Sequence, residues 1–252
     1  MRAFTAITRV TLRQLLGGRR LLVLLPLAAI PGLVMLLGSN DMTALGAFRF
    51  IHEAPIAIVY LIVVPIASLV LGAAALGDER RDGTLSFIAL RPVRRPAITG
   101  AKLLASWIAA SVIGGVAAAL PAVVLGAGTG QWAPLVPMIL GAMVSTAAYS
   151  AVFMVLGHIT HRAVLVGLVY VFIWETGITG IAPGLANVSL FRIGLTGYAG
   201  MVDGAPQLLD EPLGALTPGM GGALAKAALI AAAGIALTAW MLRSRDLASE
   251  AG

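Results

Sequence analysis

The stretch "LGDERRDGTLSFIALRPVRRPAITGAKLL", Leu76 to Leu104, decides how this chain is read. It lies between two long apolar runs and concentrates charge that they avoid. Asp78, Glu79 and Asp82 come first, Gly83-Thr84 offers a turn and a helix cap, and the apolar "LSFIALR" follows. Acids ahead of a helix favour its N-terminus, and Thr caps it well. Pro92 ends that helix, and Pro96 suits the first turn of the next one. The pattern predicts a short helix near Thr84–Arg91 whose apolar face can enter a groove on another protein.

The flanking composition places this segment beside a membrane. The chain has 252 residues, 59% hydrophobic and 11% charged, with mean hydropathy +0.97, whereas a soluble domain is about one quarter charged. A helix crossing the hydrocarbon core needs about 20 apolar residues, so the chain holds about six spans and no sizeable soluble domain. Spans are expected at Leu21–Leu37, Ala54–Leu76, Ala101–Gly126, Pro134–Gly157, Ala163–Ile181 and Gly219–Leu242. The fold class is all-α: a polytopic membrane protein with one transmembrane domain over residues 1–252. The first span follows Arg19-Arg20 with no clear small-residue cleavage site, and is expected to be retained. Cys is absent, which excludes disulfides and thiolate metal sites.

Basic residues set the expected orientation. Arg2, Arg9, Arg13, Arg19 and Arg20 precede span one, and Arg80, Arg81, Arg91, Arg94, Arg95 and Lys102 lie between spans two and three. Arg162 lies between four and five, and Arg243 and Arg245 follow six. The other side holds Arg49, Arg192 and Lys226, which can snorkel. Both termini are expected in the cytoplasm, and the net charge of +6 expresses this bias rather than nucleic-acid binding. Within residues 1–20, Arg2, Arg9, Arg13 and Arg20 share one arc at about 100° per residue, while Phe4, Ile7 and Leu15 point away. That is an interfacial amphipathic helix whose arginines face lipid headgroups, with Gly17-Gly18 as the turn into span one.

These residues resemble ABC-2-type permeases, the membrane subunits of ATP-binding cassette transporters. The likeness is carried by Glu79, Arg80, Gly83, Thr84, Leu85, Leu90, Pro92, Arg95 and Lys102, and departs at Ser86 and Arg94. The N-terminal amphipathic helix, the six spans and "VYVFIWE" in span five extend it over nearly the whole chain. The resemblance implies that residues 78–100 form a coupling segment seated on the ATPase, with Ile88 on its apolar face. It also implies short re-entrant helices on the outer side, within residues 182–218.

Glu175, beside Trp174, is ionisable within an apolar run, a costly placement unless it is bonded or faces water. Gly177, Gly180, Pro183 and Gly184 follow, which suggests a broken helix buried in protein or lining a cavity. Glu175 and Trp174 are therefore candidates for a gate or pathway, with a structural carboxylate bonded to freed backbone N–H groups as the other reading. His158 and His161 in "GHITH" are read as interfacial, and no metal site is expected since no third ligand is near. Small residues along span six, Ala223, Ala227 and Ala231, permit close helix packing.

Lys occurs at positions 102 and 226, each after Ala, so no Gly-Lys dipeptide and no Walker A loop exists. The expectation is a transport subunit that is not itself an enzyme. The resemblance implies an exporter that acts with a separate dimeric ATPase, which binds ATP and Mg. A second permease copy, forming a homodimer in the plasma membrane, completes the expectation. A secondary carrier shares the broken helix and buried acid, but the two halves of the chain show no repeat. An intramembrane protease lacks its motifs: there is no G-x-S-x-G, and "IHEAP" lacks the second His of a zinc site.

Overall fold

The computed structural model describes residues 2–17, 19–81, 94–178, 188–209 and 219–249. Every element among them is helical. Helices α1 (Arg2–Leu16), α2 (Arg19–Gly38), α3 (Ala44–Glu53) and α4 (Pro55–Ala57) lead into a π-helical stretch, Ile58–Val63, and α5 (Val64–Arg81). After α6 (Arg95–Thr129) and α7 (Leu135–Ile159), α8 (Ala163–Val169) runs into a second π-helical stretch, Tyr170–Ile178. Helices α9 (Phe191–Ala199), α10 (Ala205–Leu208) and α11 (Met220–Ser249) complete the order.

Among the described residues, five helices are long and apolar enough to cross a membrane: Arg20–Gly38, Ala44–Glu79, Arg95–Thr129, Leu135–Ile159 and Met220–Arg243. The expected span Ala163–Ile181 is described as far as Ile178. At about 1.5 Å per residue that part reaches about 24 Å, short of the roughly 30 Å core. The second crossing begins at Ala44 rather than Ala54. Thr43 caps it by accepting from the Gly46 N–H at 3.2 Å, and α3 carries Arg49, His52 and Glu53 within the same helical run. The π-helical turn before α5 has a local cause. Pro65 has no N–H and its ring crowds a regular turn, and the Val64 N–H reaches back five residues to Val59 O.

Helix α7 is the centre of the body, packed against α5, α6, α9 and α11, while α6 carries α1 and α2 on its other side. Small residues permit these approaches. A Cβ on Gly157 would strike the backbone of Ala73, and one on Gly77 would come within 3.3 Å of Gly157 O. Tyr60, Tyr149, Phe153, Tyr198 and Met35 fill the interior, and the Tyr60 hydroxyl donates to Met138 O at 3.0 Å.

Helix α1 shows the expected two faces. Leu15 and Thr11 are buried, Phe4 and Ile7 are half-buried, and Arg9 and Arg13 are exposed. The apolar face rests on α6 rather than on lipid alone, and Thr8 Oγ1 donates to Ala101 O at 3.3 Å. Arg20 leaves the expected arginine arc because α1 stops at Leu16 and α2 starts at Arg19. Of the expected coupling segment 78–100, the helix near Thr84–Arg91 lies outside the described residues, as does most of the glycine- and proline-rich stretch after Glu175.

Candidate functional site

Two polar groupings organise the molecule, one at its basic end and one around Glu175. The basic end gathers the start of α2, the end of α5, the start of α6 and the turn from α7 to α8. There, adjacent acids on the last turn of α5 reach two different helices. Asp78 Oδ2 accepts from Arg20 Nη2 on α2 at 2.5 Å, and Glu79 Oε1 accepts from Lys102 Nζ on α6 at 2.5 Å. Lys102 also donates to Ala75 O at 2.8 Å, a carbonyl one turn before Glu79 on α5. Lys102 is 2% exposed, so this basic residue of the expected cytoplasmic side lies inside the body. Its cost of burial is offset by an opposite charge and a backbone acceptor.

Of the expected coupling residues, Glu79 thus sits in this clamp, and Arg95 opens α6, with Pro96 in its first turn as anticipated. Arg80 lies on α5. Gly83, Thr84, Leu85, Ile88, Leu90 and Pro92 lie outside the described residues. The clamp closes the gap between Arg81, where the described chain leaves α5, and Arg94, where it returns to α6. Lys102 stood in the sequence pattern, but its role was not legible, because its partner is 23 residues away.

The opposite half of the body is organised by Glu175. It lies in the stretch Tyr170–Ile178, is 3% exposed, and among the described residues is met by donors on both oxygens. Oε1 accepts from Tyr170 Oη at 2.9 Å and from the Leu190 N–H at 2.8 Å. Oε2 accepts from Ser189 Oγ at 2.5 Å and from the Phe191 N–H at 3.4 Å. The carboxylate therefore caps α9 from another segment, where a negative charge complements the helix dipole. Ser189 Oγ accepts in turn from the Arg192 N–H at 3.4 Å. The Arg192 side chain, also buried, lies within electrostatic reach of Glu175. Trp174, its neighbour in the chain, is half-buried.

Helix α9 is held at two further points. Its residues Phe191–Ala199 are all buried. In its middle, a Cβ on Gly194 would come 2.6 Å from Gly141 O on α7, so only glycine permits the crossing. At its end, Tyr198 Oη lies 2.9 Å from His52 Nε2 on α3. His52 Nδ1 lies 2.7 Å from Phe48 O. The carbonyl must accept from Nδ1–H, which makes Nε2 the acceptor for the tyrosine hydroxyl. Tyr170, Ser189, Arg192, His52 and Tyr198 are the residues that sequence reading did not find. Ser189 alone carried a signal, as a cap-type residue before "LFRIGLTGYA".

His158 is buried within α7 rather than interfacial, while His161 is exposed in the following turn. Among the described residues no group of three His, Cys, Asp or Glu side chains is placed to hold a metal ion.

A chain of apolar helices, tied at one end by ion pairs and containing a buried carboxylate that caps an internal short helix, is a multi-pass membrane protein. Its sequence matches the ABC-2 family transporter proteins over residues 19–182, and the chain belongs to that family. It is a membrane permease of the ATP-binding cassette class. The match takes in the clamp, the segment between Arg81 and Arg94 and Glu175, and ends before α9 and α11. No curated protein matches the chain.

Proposed function

We propose that this chain is the membrane half of an ATP-driven exporter, working with a separate ATPase subunit seated on the basic end. The observation that supports this is the pair Arg20–Asp78 and Glu79–Lys102. These contacts tie α2, α5 and α6 together through the last turns of α5, just ahead of residues 82–93 in the chain. A push on that segment is then delivered to three helices at once. Glu79, Arg80, Gly83, Thr84, Leu85, Ile88, Leu90, Pro92 and Arg95 are the coupling residues in this reading, with Leu85 and Ile88 providing the apolar contact. ATP and Mg belong to the partner, since this sequence has no phosphate loop.

In the same reading the basic end and both termini face the cytoplasm of a cell bounded by the plasma membrane. A homodimer of permeases forms the path among membrane lipids, with six crossings per copy. Glu175 and Trp174 serve an outer gate, where Glu175 holds α9 across the body. Lifting α9 from α7 would open the far half to the outside.

The test is the double variant Leu85→Asp with Ile88→Asp. Burying one such side chain contributes about 1.5–3 kcal/mol, so losing two weakens docking by roughly 10²–10⁴-fold. The expected result is an inserted protein that no longer co-purifies with, or stimulates, its ATPase. Unchanged recovery and turnover would overturn coupling through this segment. Transport driven by a proton gradient, by the purified chain with no ATPase, would replace the exporter with a carrier.

A further inference from the structure

The basic end also contains a cavity of about 250 Å³ that the clamp does not fill. It lies between α2, α5 and the turn from α7 to α8. Its polar lining is Arg20, Thr160 and His161, and its apolar lining includes Val70, Ala74 and Val164. The two kinds of wall lie at different depths. Arg20, Thr160 and His161 are at the ends of apolar helices, level with a headgroup layer, whereas Val70 is about 10 Å deeper than Gly77, two turns along α5. The shape is that of a site for an amphiphile.

The polar wall has donors to spare. Asp78 engages Nη2 of Arg20, which leaves the other N–H groups of the guanidinium without a hydrogen bond to the described residues. Thr160 Oγ1 accepts from the Arg162 N–H at 3.2 Å, and its own O–H remains available to donate. The charges of Arg20 and Lys102 are balanced by Asp78 and Glu79, so a phosphate meets no net repulsion from the clamp. Exposed Arg162 adds positive charge at the rim. Basic pockets between helix ends suit phosphorylated lipid headgroups, and Arg matches phosphate oxygens with paired N–H groups.

We propose that this cavity binds the headgroup phosphate of a phospholipid, held by Arg20, Thr160 and His161, with an acyl chain lying along Val70, Ala74 and Val164. A free phosphate ester shares the head chemistry but would leave the apolar wall uncovered. The proposal needs only the membrane setting and stands apart from the transport reading.

The experiment is native mass spectrometry of the detergent-purified, delipidated full chain with three probes: phosphatidylglycerol, diacylglycerol and glycerol phosphate. Two variants change the site without touching the Arg20–Asp78 pair. Thr160→Val with His161→Ala removes polar partners, and Ala74→Leu fills the apolar wall. Retention of phosphatidylglycerol at least about 10-fold above diacylglycerol is expected, with a similar loss in each folded variant (about 1.4 kcal/mol). If Ala74→Leu fails to elute as folded protein, the polar double variant carries the test. Equal retention of phosphatidylglycerol and diacylglycerol would overturn the phosphate site, as would retention that neither variant changes. Displacement of the phospholipid by equimolar glycerol phosphate would overturn the lipid in favour of a free phosphate ester.

Discussion

At the basic end, four charged side chains form two pairs, Arg20–Asp78 and Glu79–Lys102, each joining two long helices. In the far half, Glu175 is bonded instead by two hydroxyls and two backbone N–H groups, three of them from the start of α9 or the residues just before it. The difference follows from the surroundings. Near a headgroup layer, opposite charges can pair while keeping some contact with water, and they bind rigid elements together. In an apolar layer a buried carboxylate is tolerable when its lone pairs are met by fixed donors. The first arrangement resists motion between three helices. The second fixes the start of one short helix through one side chain, while Gly141 and His52 hold its middle and end.

The largest expected effect is therefore at Glu175. Glu175→Ala strands four donors, each in a charge-assisted bond of about 1.5–3 kcal/mol, and non-additive loss on the order of 5 kcal/mol should leave little folded protein in detergent size exclusion. Glu175→Gln keeps the shape and one acceptor oxygen, but turns an amide NH₂ toward groups that also donate. That variant is expected to insert and assemble, with a lower melting temperature and altered ATPase-coupled transport. Wild-type stability together with wild-type transport in Glu175→Gln would remove the contrast between the two ends, because the charge would then be dispensable.

Much of the basic end was legible because charge segregation and apolar run length depend on composition over long windows. The bounds of α2 and α7 follow such runs to within two residues, whereas α6 starts six residues before its expected run and α11 ends seven beyond it. The start of the second crossing does not follow such a run, since Arg49 and Glu53 interrupt "GAFRFIHEAP". That interruption is offset by tertiary contacts: Ala47 and Ile51 are buried one turn apart, and His52 finds Tyr198. No residue pattern pointed to helix α9. Its nine residues hold two glycines, and their helix is supported by Gly141, His52 and Glu175, all distant in sequence. Glu175 itself stood out as an acid in an apolar run. Its partners did not, because Ser189 lies 14 residues ahead across a stretch rich in Gly and Pro. Lys102 was visible as one of the basic residues that set the orientation, whereas its bonds to Ala75 and Glu79 on another helix were not.

The second effect in size sharpens the contrast within the basic end. Lys102→Met leaves Glu79 without its cation beside α6, and the loss should fall toward the low end of about 3–5 kcal/mol, because the Glu79 side chain keeps 19% of its exposure. Adding Glu79→Gln to Lys102→Met should recover much of that loss, since no uncompensated charge then remains. A double-mutant cycle on thermal stability measures the coupling. Purely additive losses would mean that Lys102 acts through Ala75 O alone, and that Glu79 does not tie α5 to α6.

The smallest effect is expected at Arg20–Asp78, where the two side chains are 29% and 31% exposed. Exposed pairs contribute about 0.2–1 kcal/mol, and salt screens them over a Debye length of about 8 Å at physiological ionic strength. Arg20→Gln in lipid-free detergent should therefore lower stability by less than about 1 kcal/mol, and the gap to wild type should narrow as salt rises. The gap for Lys102→Met should persist under the same titration, because its partner atoms are shielded from solvent ions. A salt-resistant loss at Arg20 equal to that at Lys102 would show that exposure does not rank the two pairs. The tie from α2 to α5 would then be as rigid as the tie from α5 to α6, and a push arriving between Arg81 and Arg94 would reach α2 and α6 with equal stiffness. The salt-sensitive result instead makes α6 the stiff arm of the clamp and α2 the compliant one, so motion of the basic end should pass first into α6 and through it to α7, against which α9 is seated.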